Sequence, residues 1–439
     1  MENSIPTTKY SNVRPDWAFF LYFTGMFCLY THTIIQLLLQ VFIIGYVLIK
    51  KLGLTGTTFR IKTNTIKNIF FLLIWFGALT VLLFLSTKFW AYSHITGSRT
   101  MMGVFRCFGI GLAMFLYIDT SEKALSVMQS FVYASAIMGV AALVTTPTSQ
   151  YFQAGDDGFG VALGQQRNGI GAIAAGMSVV SVYLRRYTDF KYGNYLSVFF
   201  VLLTIITGSR GSLVQLLILF VLIVIIDKDL FKMMTKIIIF VIAAVIIILM
   251  IRNIPILYEN IWLRFEDMFA TITGEKIEDA STKGREFYKE IAFNMFLKKP
   301  FLGWGLDGFT CYLRDNPYYK GYYIEAVYSH CNFSELMADL GVVGLLVWYV
   351  PTASILIKSF KYREYHPLIK IMFFWLLSMI ILDYARIPWM THPSSYQYFL
   401  AFLIIIFLTN EAKIIKRNIK QNSENALETT EGHNNGQSS

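Results

Sequence analysis

The stretch NYLSVFFVLLTIITGSRGSLVQLLILFVLIVII, residues 194–226, decides the fold class. Two apolar runs flank the short polar segment TGSRGS, residues 207–212, so the chain reverses without room for a soluble domain. Apolar runs of roughly 16 to 25 residues match a hydrocarbon core of about 30 Å when helical. Only helices or closed barrels satisfy the backbone there, and the alternation of a barrel strand is absent.

The pattern recurs almost from end to end. Length alone suggests about three soluble domains, but 55% of the 439 residues are hydrophobic and only 15% charged. Mean hydropathy is +0.51. The fold class is therefore all-α, a polytopic transmembrane helical bundle of about twelve spans. The spans fall near 17–31, 33–49, 68–86, 102–118, 126–146, 169–184, 194–208, 212–226, 235–251, 333–357, 367–385 and 396–412. Lys50, Lys51, Arg60, Lys62 and Lys67, then Arg185, Arg186 and Lys191, fall in alternate gaps, as do Lys228, Lys232 and Lys236. Lys358, Lys361, Arg363, Lys413, Lys416, Arg417 and Lys420 continue the series, so the positive-inside rule places both termini in the cytoplasm. The net charge of +10 is thereby used for orientation, and nucleic acid is not an expected partner. Lys9 and Arg14 precede a first run without a small-residue cleavage site, which reads as a retained span.

The expected organisation is a cytoplasmic N-terminus at 1–16, spans one to nine over 17–251, a long extracytoplasmic loop over 252–329, spans ten to twelve over 330–412, and a disordered cytoplasmic tail at 413–439. Within the loop, GREFYKEIAFNMFLKKP (284–300) predicts an amphipathic helix burying Phe287, Ile291 and Met295, ended by Pro300. The following FLGWGLDGF (301–309) predicts a tight turn on a membrane surface or a sugar-binding face, or a segment that folds the loop onto the bundle.

Three segments break the apolar pattern at span ends on the expected outer side: GQQRNGIG with Arg167, TGSRGS with Arg210, and YSHCNF with His330. Each lies just before a helix expected to run inward, whose N-terminus presents free N–H groups and about half a positive charge. An arginine at a span edge needs a partner or a task. A lipid headgroup is one partner; a diphosphate, gripped by two guanidiniums, is another. The helix end would keep His330 neutral and fit to accept a proton. Asn332 is expected in a supporting role, and Glu335 and Asp339 in structural or orienting roles.

Other motifs fail. Asp156 and Asp157 form an isolated DDG, and GFGVALG (158–164) lacks dinucleotide-fingerprint spacing. Cys28, Cys107, Cys311 and Cys331 show no metal-ligand spacing and read as free thiols, although Cys311 and Cys331 could pair outside the cell. No metal site and no cofactor are expected.

HCNFSELMADLGVVG (330–344), GRE with KKPFLGWGLDGF in the long loop, and TGSRGS at a span junction together resemble the bacterial O-antigen ligase and polysaccharide polymerase (Wzy/WaaL-like) superfamily. The motifs cover roughly Gly164 to Leu346. The resemblance implies a GT-C-like bundle in the bacterial cytoplasmic membrane, acting on its outer face as an inverting, metal-independent glycosyltransferase. The donor would be an undecaprenyl-diphosphate-linked oligosaccharide and the acceptor a growing glycan. A flippase and a chain-length regulator would be partners beside membrane lipid. By motif, Arg210 would contact the donor diphosphate, His330 would activate the acceptor hydroxyl, and Arg167 and Arg285 would shape the substrate site. Cys331 departs from the asparagine or serine of many relatives, which puts a side-chain hydrogen bond there in question. The expected function is a polymerase of capsule, exopolysaccharide or O-antigen repeats. The alternatives are an O-antigen ligase or protein oligosaccharyltransferase, and a flippase for lipid-linked sugars.

Overall fold

A computed structural model describes residues 10–29, 31–51, 63–151, 158–226, 280–319, 327–388 and 392–435, with isolated positions between 249 and 266 and at 321. Among the described residues the chain forms thirteen α-helices and no β-strand. These are α1 (Trp17–Cys28), α2 (Thr33–Lys51), α3 (Thr63–Leu85), α4 (His94–Tyr117), α5 (Ser121–Thr145), α6 (Arg167–Tyr187), α7 (Gly193–Ile206) and α8 (Arg210–Ile226). After them come α9 (Ala280–Lys298), α10 (Gly308–Asp315), α11 (Asn332–Tyr362), α12 (Pro367–Leu382) and α13 (His392–Asn435). The span expected at 235–251 lies, but for its last residues, outside the described residues, as do Asp156 and Asp157; the other expected spans coincide with α1 to α8 and α11 to α13. The protein is an integral membrane helical bundle. α2, α4, α5, α11 and most of α13 are long and apolar enough to cross a bilayer.

Helix α6 does not meet that criterion, and its sequence explains why. RNGIGAIAAGMSVVS is glycine-, alanine- and serine-rich, and nearly the whole helix from Ile170 to Ser181 is buried. Small residues let neighbouring backbones approach closely where hydrocarbon supplies no hydrophobic drive. A Cβ on Gly171 would stand 2.5 Å from Ser212 Oγ and one on Gly176 2.4 Å from Trp375 Nε1. α6 thus packs directly on α7, α8 and α12.

Two expectations are corrected. The tail was expected to be disordered from residue 413, yet α13 continues to Asn435. Its sequence EAKIIKRNIKQNSENALETTE lacks proline and glycine and is rich in helix formers, so propensity extends the helix past the apolar span. The second correction concerns α11, expected to run inward from His330. Gly341, at φ 63° and ψ −158°, breaks it into two arms, 332–340 and 342–362. The arms fold back on each other: Asn332 Nδ2 donates to Tyr349 Oη at 2.8 Å, and Phe333 stacks on Tyr349 at 4.6 Å. A straight helix would hold residues 332 and 349 about 25 Å apart.

The break exposes backbone groups that a continuous helix would consume, and the long loop takes them up. Trp304 N–H donates to Ala338 O at 2.9 Å and Gly305 N–H to Asp339 O at 2.8 Å. In return Val342 N–H donates to Pro300 O and Val343 N–H to Phe301 O. FLGWGLDGF therefore locks the loop to the bundle. α9 ends at Lys298, two residues before Pro300, and buries Ile291 and Met295 with Phe309, Tyr312, Leu313, Val327 and Ala338 in a small core separate from that of the bundle.

Candidate functional site

His330 sits on the turn that enters α11. Its φ of 58° is left-handed, a conformation that costs a non-glycine residue about 1 to 3 kcal/mol and persists only when the surroundings over-determine it. Here they do. Ser329 N–H donates to Glu335 Oε2 at 2.7 Å, Ser329 Oγ–H donates to Cys331 O at 3.0 Å, and Ser334 Oγ–H reaches both Ser329 Oγ and Cys331 O. Glu335 and Asn332 are wholly buried. Cys331 makes no side-chain cap and is a free thiol, as is Cys311. Ser334 and Glu335 do the work of the missing cap.

The imidazole lies against Tyr328, 4.2 Å between ring centroids, and nearly parallel to Tyr288 of α9 at 6.1 Å. Burial first, and then the cationic Arg285 and Lys289, push its pKa down to about 4. The expected neutrality holds, but from burial and loop cations. The structure thus brings Arg285 to the histidine and adds Lys289, one helical turn further along the same face. Lys289 is also paired with Glu286 at 3.0 Å and caps the ring of Tyr384 at 3.5 Å.

The start of α11 is pinned to the end of α12. Asn332 N–H donates to Asp383 O at 2.7 Å, while the Asp383 carboxylate accepts from Tyr349 at 2.9 Å and Tyr398 at 2.8 Å. Asp339 caps α10 by accepting from Asp307 N–H and Phe309 N–H, in keeping with its expected structural role. Tyr349 lies eight residues beyond Gly341, so the histidine turn sits about 12 Å below the tip of the folded-back pair.

Arg167 and Arg210 are the first residues of α6 and α8, and both are half-buried. Gly171 meets Thr207 and Ser212, so the two helix starts are side by side. Gly176 meets Trp375 and Gln215 Nε2 donates to Ser378 Oγ at 3.4 Å, which sets α12 antiparallel to both. Arg210 stands five residues before Gln215 and Asp383 five after Ser378, each about 7.5 Å along the axis. The two arginines, Asp383 and the start of α11 thus occupy one layer to within about a helical turn. The arginine pair and the histidine–Arg285–Lys289 group are joined through α12.

Residues 195–349 match the family described as O-antigen ligase. Over that stretch the chain is similar to an O-antigen ligase domain. The matched stretch takes in Arg210, Arg285, Lys289, His330, Asn332 and Glu335 and stops at Tyr349; Arg167 and the α12 end lie outside it. No curated protein matches the chain. Sequence reasoning passed over Lys289 and Asp383. Asp383 carried a signal, a carboxylate at the end of an apolar span, and Lys289 stands at i+4 from Arg285.

Proposed function

We propose that this O-antigen ligase-family protein is a glycosyltransferase that joins undecaprenyl-diphosphate-linked repeats into a polymer on the extracytoplasmic side of the membrane. The observation that supports it best is a neutral histidine, held on a left-handed turn beside two loop cations, in one layer with two arginines at helix starts. His330 would take the proton of the acceptor hydroxyl as its oxygen attacks the anomeric carbon. The bond from that carbon to the diphosphate breaks, and its electrons leave with the diphosphate. Attack opposite the leaving group inverts the anomeric centre. Arg167, Arg210 and the N–H groups of α6 and α8 would stabilise the departing charge, a contribution of the oxyanion-hole kind; guanidiniums thus do the neutralising without calling on a metal. Arg285 would lower the His330 pKa and hold the loop side of the donor.

The family's description as O-antigen ligase favours a second reading, transfer of a finished glycan to a separate acceptor; the residues would act identically and only the acceptor would differ. A flippase fits less well, because the distinctive cations gather at one end of the bundle. The test is His330→Ala and Arg210→Ala in the native host, with membrane insertion checked and glycan length read on gels. Loss of long chains with single repeats still exported is the expected result. Unlinked long chains would assign the ligase, and normal polymer from both variants would sink the mechanism.

A further inference from the structure

Arg386 lies outside the family match and outside every motif singled out in the sequence, yet it stands just past the α12 end to which the start of α11 is pinned. It follows Asp383 by three residues, in the segment whose Asp383 O receives Asn332 N–H and whose Tyr384 ring lies under Lys289. Among the described residues its Nε and Nη1 are buried with no hydrogen-bond partner. Within the same set its Nη2 donates to Met379 O at 3.4 Å. The Asp383 carboxylate is already taken by Tyr349 and Tyr398 and forms no ion pair with it among the described residues. Nearly all buried polar groups in folded proteins are satisfied, and a guanidinium with two orphan nitrogens calls for an explanation. Unmet N–H donors on a guanidinium at one helix end are what an anionic guest would complete.

We infer that Arg386 is a phosphate-binding residue, which holds the diphosphate of the lipid-linked donor from the α12 side, opposite the α6 and α8 starts. This rests on the donor reading above. Planar guanidinium suits the phosphate oxygens, and burial makes the contact stronger than at a surface. The probe experiment uses full-length protein in detergent and follows its Tm with undecaprenyl diphosphate, undecaprenyl monophosphate, inorganic diphosphate and phosphatidylglycerol. In the native protein undecaprenyl diphosphate is expected to raise Tm most. In Arg386→Gln its half-saturating concentration should rise tenfold or more, and Arg386→Lys should fall between. An unchanged half-saturation in Arg386→Gln overturns the assignment while leaving the donor reading intact. The same holds if phosphatidylglycerol alone gives the Arg386-dependent shift, which would make the guest a bilayer headgroup. No diphosphate response in native protein would remove the donor reading and this inference together. If Arg386→Gln does not fold, Arg386→Lys decides by the same comparison.

Discussion

Glu335 controls where His330 points, because its carboxylate accepts the N–H of Ser329 and so fixes the left-handed turn. Glu335→Gln retains an accepting oxygen and should keep most transfer activity. Glu335→Ala should lose about 10²-fold in kcat, the usual penalty for a misplacement near 1 Å, with little change in His330 titration. Removal of the proposed base, by His330→Ala, should lower the rate by about 10²- to 10⁴-fold. The pH profile tests the charges around the ring. The proposed reaction needs the neutral imidazole, so activity should fall as pH drops through about 4, well below the ordinary 6.5. Cations disfavour a second positive charge; Lys289→Gln should therefore raise the imidazole pKa and move the acid limb to higher pH. The movement should be partial, since burial is the larger cause. An acid limb that stays fixed in both Lys289→Gln and Arg285→Gln would mean that the limb reports another group.

At the scale of elements, glycine contacts set the spacing of the site. A Cβ at Gly341 would meet Phe301 O at 2.4 Å, and the residue needs positive φ. Gly341→Ala should destabilise the docked loop by at least about 1 to 3 kcal/mol, seen as protease sensitivity within 280–319 before the bundle unfolds. Gly171 acts by close approach rather than by dihedral angle. Gly171→Val would drive α8 from α6 and separate Arg210 from Arg167, so it should raise the KM for donor while the acid limb set by His330 stays in place.

At the scale of the whole molecule, orientation is open to direct measurement. Tyr318, 79% exposed near α10, should become labelled as Tyr318→Cys by a membrane-impermeant thiol reagent added to intact cells, above the signal of the native cysteines. Labelling only after lysis would reverse the proposed orientation. The spans themselves were legible because a 30 Å core demands long apolar runs, and the helix starts at Arg167 and Arg210 because polar breaks in those runs are short. The fold-back of α11 was not. LMADLGVVGLLVW reads as one helix, and the groups that stabilise its break come from Pro300 to Gly305, about forty residues earlier. Local periodicity cannot show such a pairing. Nor does a helical wheel of α9 say what its cationic stripe faces; Lys289 therefore gained meaning only once Tyr384 and His330 were found beside it.

The interlock between the loop and the break in α11 has a consequence for anyone building hybrids of related proteins. Each strand of the interlock supplies what the other lacks, so residues 299–309 and 338–343 behave as one inherited cassette despite their distance in sequence. A graft that carries a foreign loop without its matching hinge leaves bare carbonyls in an apolar setting. Exchanging both together should keep these hydrogen bonds intact and leave the turn at His330 in place.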